Sequence, residues 1–319
     1  MNLDKDKTNT KPRIVLLGDG FFARGFLHNI NFNKFHITQI YKDSFINPQD
    51  IMYSLQRNIL YNPQSMLHLR DFFTRSVDHK IQTNINSLEI NQIRNIVTIN
   101  NQTFPYNHLV IGMGSHKSLN QWKDEINYLV SKPHMMVGIV GIGPTGIELG
   151  TILSKYSQIT MFDMLPKSKV LDTLRPTTKD TILGALEERE IHTHFVKPYN
   201  STEYNFDKVL FCGGSRINSL VKNTGLVVNE FMQANRNIYL GGDCVETGFP
   251  KTAQVAYQQG VYVAKYLNGD IPYNKPFNFV SKGTAINIGD KKVIIEGHPI
   301  MWDGVYPDFI MKLYSLFCI

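Results

Sequence analysis

The chain has 319 residues, 42% hydrophobic and 19% charged, which is the composition of a folded protein long enough for about two domains. Its three cysteines, Cys212, Cys244 and Cys318, lie far apart with no Cys-x-x-Cys pair. They exclude a secreted disulfide framework and an adjacent dithiol centre, and they suit reducing surroundings. The net charge of +6 is scattered without a basic run, so no nucleic-acid partner is expected.

Residues 1–11 are polar with no apolar core, so they do not read as a signal peptide, and no apolar stretch is long enough to span a bilayer. A cytoplasmic chain is the expectation. An apolar strand is predicted over residues 14–17, then Gly18 and Gly20, a helix over 22–30 with Phe22, Phe26 and Ile30 on one face, and a strand over 35–41. Strand, glycine turn, helix and strand make one βαβ unit. Helical pieces are expected near 51–57 and 67–73. Three strands follow at 81–90, 95–99 and 103–111, with Asn100-Asn101 as the turn between the last two. The third runs into Gly112-Met113-Gly114, a turn that lets backbone approach a ligand.

The opening pattern recurs in the middle of the chain. A strand over 135–140 leads into Gly141-Ile142-Gly143-Pro144-Thr145-Gly146, a helix to about 156 and a strand over 158–162 that ends at Asp163. Thr177 and Asp180 read as a capping box for a helix to about 189. Strands are expected at 191–196, 208–211 and 237–240, a long helix over 252–267, and antiparallel strands within 277–295. The end of the chain, 306–319, reads as an amphipathic helix that either docks on the body or lies in a membrane interface.

Gly141-x-Gly143-x-x-Gly146 sits between strand and helix, as the dinucleotide fingerprint requires. Gly141 permits the tight turn, Gly143 leaves room for pyrophosphate, Gly146 lets the helix approach the strand, and the helix N-terminus offers free N–H groups. Asp163 stands where an acid meets the adenosine ribose, which favours NADH over NADPH. Gly18-x-Gly20-x-x-Ala23 is a looser version, with Asp19 and the bulky Phe22 as departures. Two such turns in one chain point to two bound dinucleotides and to hydride transfer from a nicotinamide to a flavin. No metal-ligand spacing is present, so no metal is expected. Cys212 and Cys244 read as small buried hydrophobes.

These motifs carry a resemblance. The opening segment 11–27, the stretch Val-Gly-Ile-Val-Gly-Ile-Gly-Pro-Thr-Gly-Ile-Glu-Leu-Gly at 137–150, Asn-Ile-Tyr-Leu-Gly-Gly-Asp at 237–243, Pro-Lys-Thr-Ala-Gln-Val-Ala-Tyr-Gln at 250–258 and Ser-Lys-Gly-Thr-Ala at 281–285 resemble the pyridine nucleotide-disulfide oxidoreductase-like superfamily. Within it they are most similar to the type II, non-proton-pumping NADH:quinone dehydrogenases. The resemblance implies an α/β fold of two Rossmann-like domains: a three-layer β/β/α FAD-binding domain (residues 1–115 and 237–298), an inserted and trimmed NAD(H)-binding domain (116–236), and a tail (299–319). It implies FAD and NADH as cofactors, with a quinone or other small molecule as acceptor. Gly18, Gly20, Ala23, Gly112, Gly114, Gly242, Asp243 and Ala253 would serve the flavin nucleotide, with Asp243 on the ribityl chain. Gly141, Gly143, Gly146, Asp163 and Gly213 would serve the nicotinamide one. Glu148, in the first turn of its helix, would lie near nicotinamide and flavin, and Gln254 and Gln258 would contact the quinone. The backbone donors of Ala253 and Gln254 would stabilise charge on a reduced flavin. Two departures stand out: only residues 197–207 replace a strand meander, and residues 42–62 lack the family's Pro-rich segment. A soluble acceptor, or a nucleotide-binding protein without turnover, remains open alongside the quinone reductase.

Overall fold

The computed structural model describes residues 11–42, 77–115, 119–214, 216–289 and 293–296. The expected helices at 51–57, 67–73 and 306–319 lie outside the described residues. In chain order the described elements are β1 (Arg13–Leu17), α1 (Phe21–Asn29), β2 (His36–Tyr41), β3 (His79–Gln82), β4 (Leu88–Asn91), β5 (Ile96–Ile99), β6 (Gln102–Pro105), β7 (His108–Ile111), α2 (Leu119–Ser131) and β8 (Met136–Val140). Then come α3 (Pro144–Leu153), β9 (Gln158–Phe162), α4 (Pro176–Glu187), β10 (His192–His194), β11 (Lys208–Phe211), α5 (Ser219–Asn223), β12 (Gln233–Asn235), β13 (Ile238–Leu240), α6 (Ala253–Asn268), β14 (Thr284–Asn287) and β15 (Val293–Glu296).

Two parallel sheets organise the molecule. The first runs β12-β13-β7-β1-β2-β3, with only β12 antiparallel to its neighbour. Alternation along β1 sorts its two faces. Ile14 and Leu16 join Phe22, Phe26 and Val263 under α1 and α6. Val15 and Leu17 join Val97, Ile99 and Leu109 under the antiparallel meander β4-β5-β6. The first unit is therefore the expected three-layer β/β/α arrangement. Its two helices cross at close range: a Cβ on Gly25 would run into the carbonyl oxygen of Tyr257, and one on Gly260 into that of Phe22. Only glycine permits such an approach.

The second sheet, β10-β9-β8-β11, is wholly parallel. Val137 and Ile139 of β8 face a core shared with α2, α3 and α4. Gly138 alternates to the other face, where a Cβ would meet the Phe206 ring. Residues 197–207 cover that face with a ring cluster: Phe162 stacks on His194 at 5.1 Å, and Tyr204 lies parallel to Phe206 at 5.6 Å. A short aromatic segment thus supplies the layer that a meander forms in the first unit.

Several sequence expectations need correction. The strand expected at 103–111 is two strands: β6 ends at Pro105, which has no N–H, and Asn107 then donates its N–H to Arg13 O (2.8 Å) and accepts at Oδ1 from Arg13 N–H (2.7 Å), turning the chain into the first sheet. The run 81–90 likewise divides into β3, beside β2, and β4 of the meander. Asn100 and Asn101 do form a turn, both left-handed with φ of 48° and 66°. The capping box at Thr177 and Asp180 does not form. Pro176 is the first residue of α4 and Arg175 its N-cap, so Thr177 is already inside the helix. Among the described residues, antiparallel pairing within 277–295 is confined to β14 and β15, and α2, α5 and β12 have no counterpart among the expected elements. The hairpin β14-β15 packs on the second unit, with Ile286, Ile288 and Ile294 in its core. Among the described residues no helix is long and apolar enough to cross a membrane.

Candidate functional site

The two glycine turns are built alike. Gly18 and Gly141 have φ of 115° and 110°, a region open chiefly to glycine. Each donates its N–H to the end of the neighbouring strand: Gly18 to Ile40 O (2.8 Å), Gly141 to Phe162 O (2.7 Å). The strand on the other side closes the turn by Gly112 N–H to Leu17 O (2.8 Å) and Cys212 N–H to Val140 O (2.7 Å). Gly20 and Gly143 are the extended N-caps of α1 and α3, and neither helix has a side-chain cap. Each helix therefore presents backbone N–H groups and its positive dipole end at the carboxyl edge of its sheet.

The space in front of these turns suits a dinucleotide. A Cβ added to Gly143 or to Gly114 would meet nothing within 4 Å. By contrast, a Cβ on Gly146 would strike the carbonyl of Gly141, so Gly146 seats the helix on the turn, and buried Ala23 takes that position in the first unit. Gly213 and Gly214 end β11 beside Gly141, whose Cβ would lie 2.6 Å from the Gly213 nitrogen.

Both acids near the turns are engaged by the fold. The Asp19 carboxylate accepts from Gln39 Nε2 at 3.3 Å, and the same buried amide donates to Gly18 O at 3.0 Å. This ties the carboxylate to β2. Asp163 accepts from the N–H of Ile142 and of Leu165, both at 2.8 Å. It braces the glycine turn, and each oxygen retains a lone pair for a ribose hydroxyl.

Phe22 lies beneath the first turn. Its ring is 2% exposed and fills the gap between helix and sheet, where a Cβ on Gly112 or Gly241 would overlap it. The bulky residue is thus accommodated by glycines at the ends of β7 and β13, and it leaves the space in front of Gly114 open. Asp243 follows in a single 3-10 turn, Gly242–Cys244, beside these strand ends. Gly18, Gly20, Gly112, Gly114, Gly242 and Asp243 thereby gather at the carboxyl ends of adjacent strands β1, β7 and β13. Gln259, fully buried, holds the Asp243 turn by accepting from Gly242 N–H at 2.7 Å and donating to Thr247 Oγ1 at 3.2 Å. Sequence reasoning missed Gln259 and Gln39. Their signal was an amide in an otherwise apolar stripe.

At α6, Thr252 caps Val255 N–H at 3.2 Å, leaving the preceding N–H groups of Ala253 and Gln254 at the open helix end. The glutamine side chains bond backbone groups of residues 280–283. Gln254 accepts from Lys282 N–H (2.7 Å) and donates to Gly283 O (3.3 Å). Gln258 accepts from Val280 N–H (3.1 Å) and donates to Val280 O (2.8 Å). Glu148 stands in the second turn of α3, not the first, and is buried at 7% exposure. Its Oε1 accepts from Asn287 N–H at 3.2 Å, and burial pushes its carboxyl up to about 7. Cys212 and Cys244 are both buried, and neither forms a disulfide. Burial pushes the Cys244 thiol up to about 11, so it stays neutral. Among the described residues no cluster of three His, Cys, Asp or Glu side chains suits a metal.

Comparison with known proteins agrees with this geometry. The family described as pyridine nucleotide-disulphide oxidoreductase matches residues 12–260. The external alternative NADH-ubiquinone oxidoreductase of Yarrowia lipolytica is 20% identical over 82% of this chain and 60% of its own length. The chain thus spans about 60% of that relative. A probable NADH dehydrogenase of Dictyostelium discoideum is 23% identical over 92% of this chain and 82% of its own. Among solved structures, NDH2 of Plasmodium falciparum in complex with NADH superposes with a TM-score of 0.71 at 14% identity, covering 96% of this chain and 94% of that one. A family match over most of the chain, on a fold with two glycine turns of the same geometry, identifies the protein as a member of the pyridine nucleotide-disulphide oxidoreductase family.

Proposed function

We propose that the protein is an FAD-dependent NADH oxidoreductase that passes electrons to a quinone-like acceptor. The observation that carries this reading is the pair of equivalent, uncapped glycine turns, one at the carboxyl edge of each parallel sheet. Residues Gly18, Gly20, Ala23, Gly112, Gly114, Gly242, Asp243 and Ala253 would hold FAD, and Gly141, Gly143, Gly146, Asp163 and Gly213 would hold NADH. Bound there, FAD would supply the redox chemistry between NADH and the acceptor.

The chain's own part is orientation and electrostatics. The helix ends at Gly20 and Gly143 attract pyrophosphate. The Ala253 and Gln254 N–H groups stabilise negative charge at the start of α6. Asp163 sets the preference for a free ribose hydroxyl over a 2′-phosphate. The names of the Yarrowia and Dictyostelium relatives support NADH as donor, and the former supports a quinone as acceptor. The proposed FAD-binding segments are 1–115 and 237–298, with 116–236 binding NADH, except that β12 joins the first sheet and β14 and β15 pack in the core of the second unit. A soluble acceptor is the second reading, favoured by the engagement of both Gln254 and Gln258 amides with backbone groups.

The test is spectroscopic. Purified protein reconstituted with FAD should absorb near the flavin maximum and bleach anaerobically on addition of NADH, and added quinone should restore the colour. A protein that cannot retain FAD would defeat the reading. Bleaching without reoxidation by quinone would select the soluble acceptor.

A further inference from the structure

We propose that residues 280–289 form a strap that fixes the second dinucleotide unit against the first, and that Gln254, Gln258 and Glu148 are positioning residues acting through it. The strap is held at one end by α6, which packs on α1 and the first sheet. Gln258 both accepts from and donates to the Val280 backbone, as a neighbouring strand would. One turn earlier on the same helix, Gln254 does the same across Lys282 and Gly283. The spacing of the two glutamines on one helix face matches the advance of an extended chain along it.

The other end belongs to the second unit. Ile286 and Ile288 are buried at 1% and 5% in the core beneath α3 and α4. Between them, Asn287 donates its N–H to Glu148 and accepts from Gly289 N–H through its side chain at 2.9 Å. Gly289, with φ of 79°, lies against the carbonyl of Thr151, where a Cβ would come within 2.8 Å. Four residue steps lead from the last α6 contact at Gly283 to the Glu148 contact at Asn287. An extended chain covers that in about 13 Å.

Among the described residues, the other crossings between the units meet at one place, where Ser115 bridges Ile217. A pair of crossings bound to each other acts as one hinge, and units so joined move relative to one another by default. A third attachment away from the hinge removes that freedom. It joins the two helices, α3 and α6, that the proposed function assigns to the two nucleotides. Hydride transfer needs reacting atoms about 3–3.5 Å apart, so a swing of even 1 Å costs rate. The consequence for catalysis rests on the proposed function, but the strap itself does not.

The experiment measures the distance between spin labels on Glu89→Cys, exposed on β4, and Glu188→Cys, exposed at the end of α4, in the full-length Cys318→Ser chain without cofactors. Cys212 and Cys244 are buried and stay unlabelled. The distribution should be narrow in the parent and at least twofold broader in Gln254→Ala/Gln258→Ala and in Glu148→Ala, with circular dichroism unchanged. Glu148→Gln keeps the acceptor for Asn287 and should stay narrow. Should the double variant not fold, Gln258→Ala alone carries the test, since that side chain is only partly buried. An unchanged distribution in folded Gln258→Ala and Glu148→Ala would overturn the strap. In FAD-loaded protein the same variants should bind NADH with unaltered affinity and bleach at least tenfold more slowly. Failure of the loaded protein to bleach at all, with the distances behaving as expected, would count against the redox reading and leave the strap standing.

Discussion

Replacing Glu148 by glutamine should stabilise the protein above neutral pH and leave it unchanged near pH 4.5. The carboxyl is buried, and its loss of hydration lifts it from 4.5 to about 7. Because the folded value lies above the unfolded one, the neutral acid is the form that the fold prefers. Stability from this group is greatest below about 4.5, falls as pH rises through the window up to about 7, and is flat beyond it. At ~1.4 kcal/mol for each pH unit of that window, the ionised group costs about 3 kcal/mol at pH 8. Glutamine has the shape of the neutral acid, keeps an oxygen for Asn287 N–H and never ionises. For a chain of this size the gain corresponds to a rise in Tm of about 6 °C at pH 8. Urea titrations of both proteins from pH 5 to 8.5 would read it directly. Parallel stability profiles for the two proteins across that range would refute the argument, because burial would then not be raising the carboxyl. Glu148→Ala supplies the control: it removes the acceptor and should destabilise at every pH.

Three further substitutions probe the glycine turns and the residues packed against them. Gly143→Leu should abolish NADH binding by isothermal titration while leaving FAD content and Tm unchanged, since its side chain enters open space in front of α3; retained NADH affinity would remove Gly143 from the site. Phe22→Ala should cost about 3–5 kcal/mol in urea denaturation, because it empties the gap lined by Gly112 and Gly241, and a loss below about 1 kcal/mol would mean that the ring is not packed there. Asp163→Ala should lose both backbone bonds of its carboxylate and with them about 2 kcal/mol or more of stability. It should also narrow the preference for NADH over NADPH in binding assays, and an unaltered ratio would leave Asp163 a purely structural brace.

Much of the scaffold is local in origin, and so it was legible from residue order. The turns at Gly18 and Gly141 announce themselves because a strand cannot pass so tightly into a helix without a left-handed glycine. The strand at 158–162, the strand at 208–211 and the long helix from about 252 follow from periodicity within a few residues. The repeated βαβ pattern, which set the expectation of two nucleotide units, is likewise a property of short windows. The breaks within 81–90 and 103–111 were not legible, because what divides those runs is which sheet each half joins.

The side-chain assignments were decided by the tertiary structure, since each depends on a partner remote in sequence. Asp19 is drawn to Gln39, Phe22 finds room between two glycines at distant strand ends, and Gln259 holds the turn that carries Asp243. Glu148 meets a backbone N–H of Asn287, and Gln254 and Gln258 meet the segment beside it. A residue's type states what it is able to bond, but burial and the groups that folding brings within about 3 Å select the bond it makes. Residue order alone thus determined that this chain would build two glycine-turn units, while folding decided which bonds its polar side chains make.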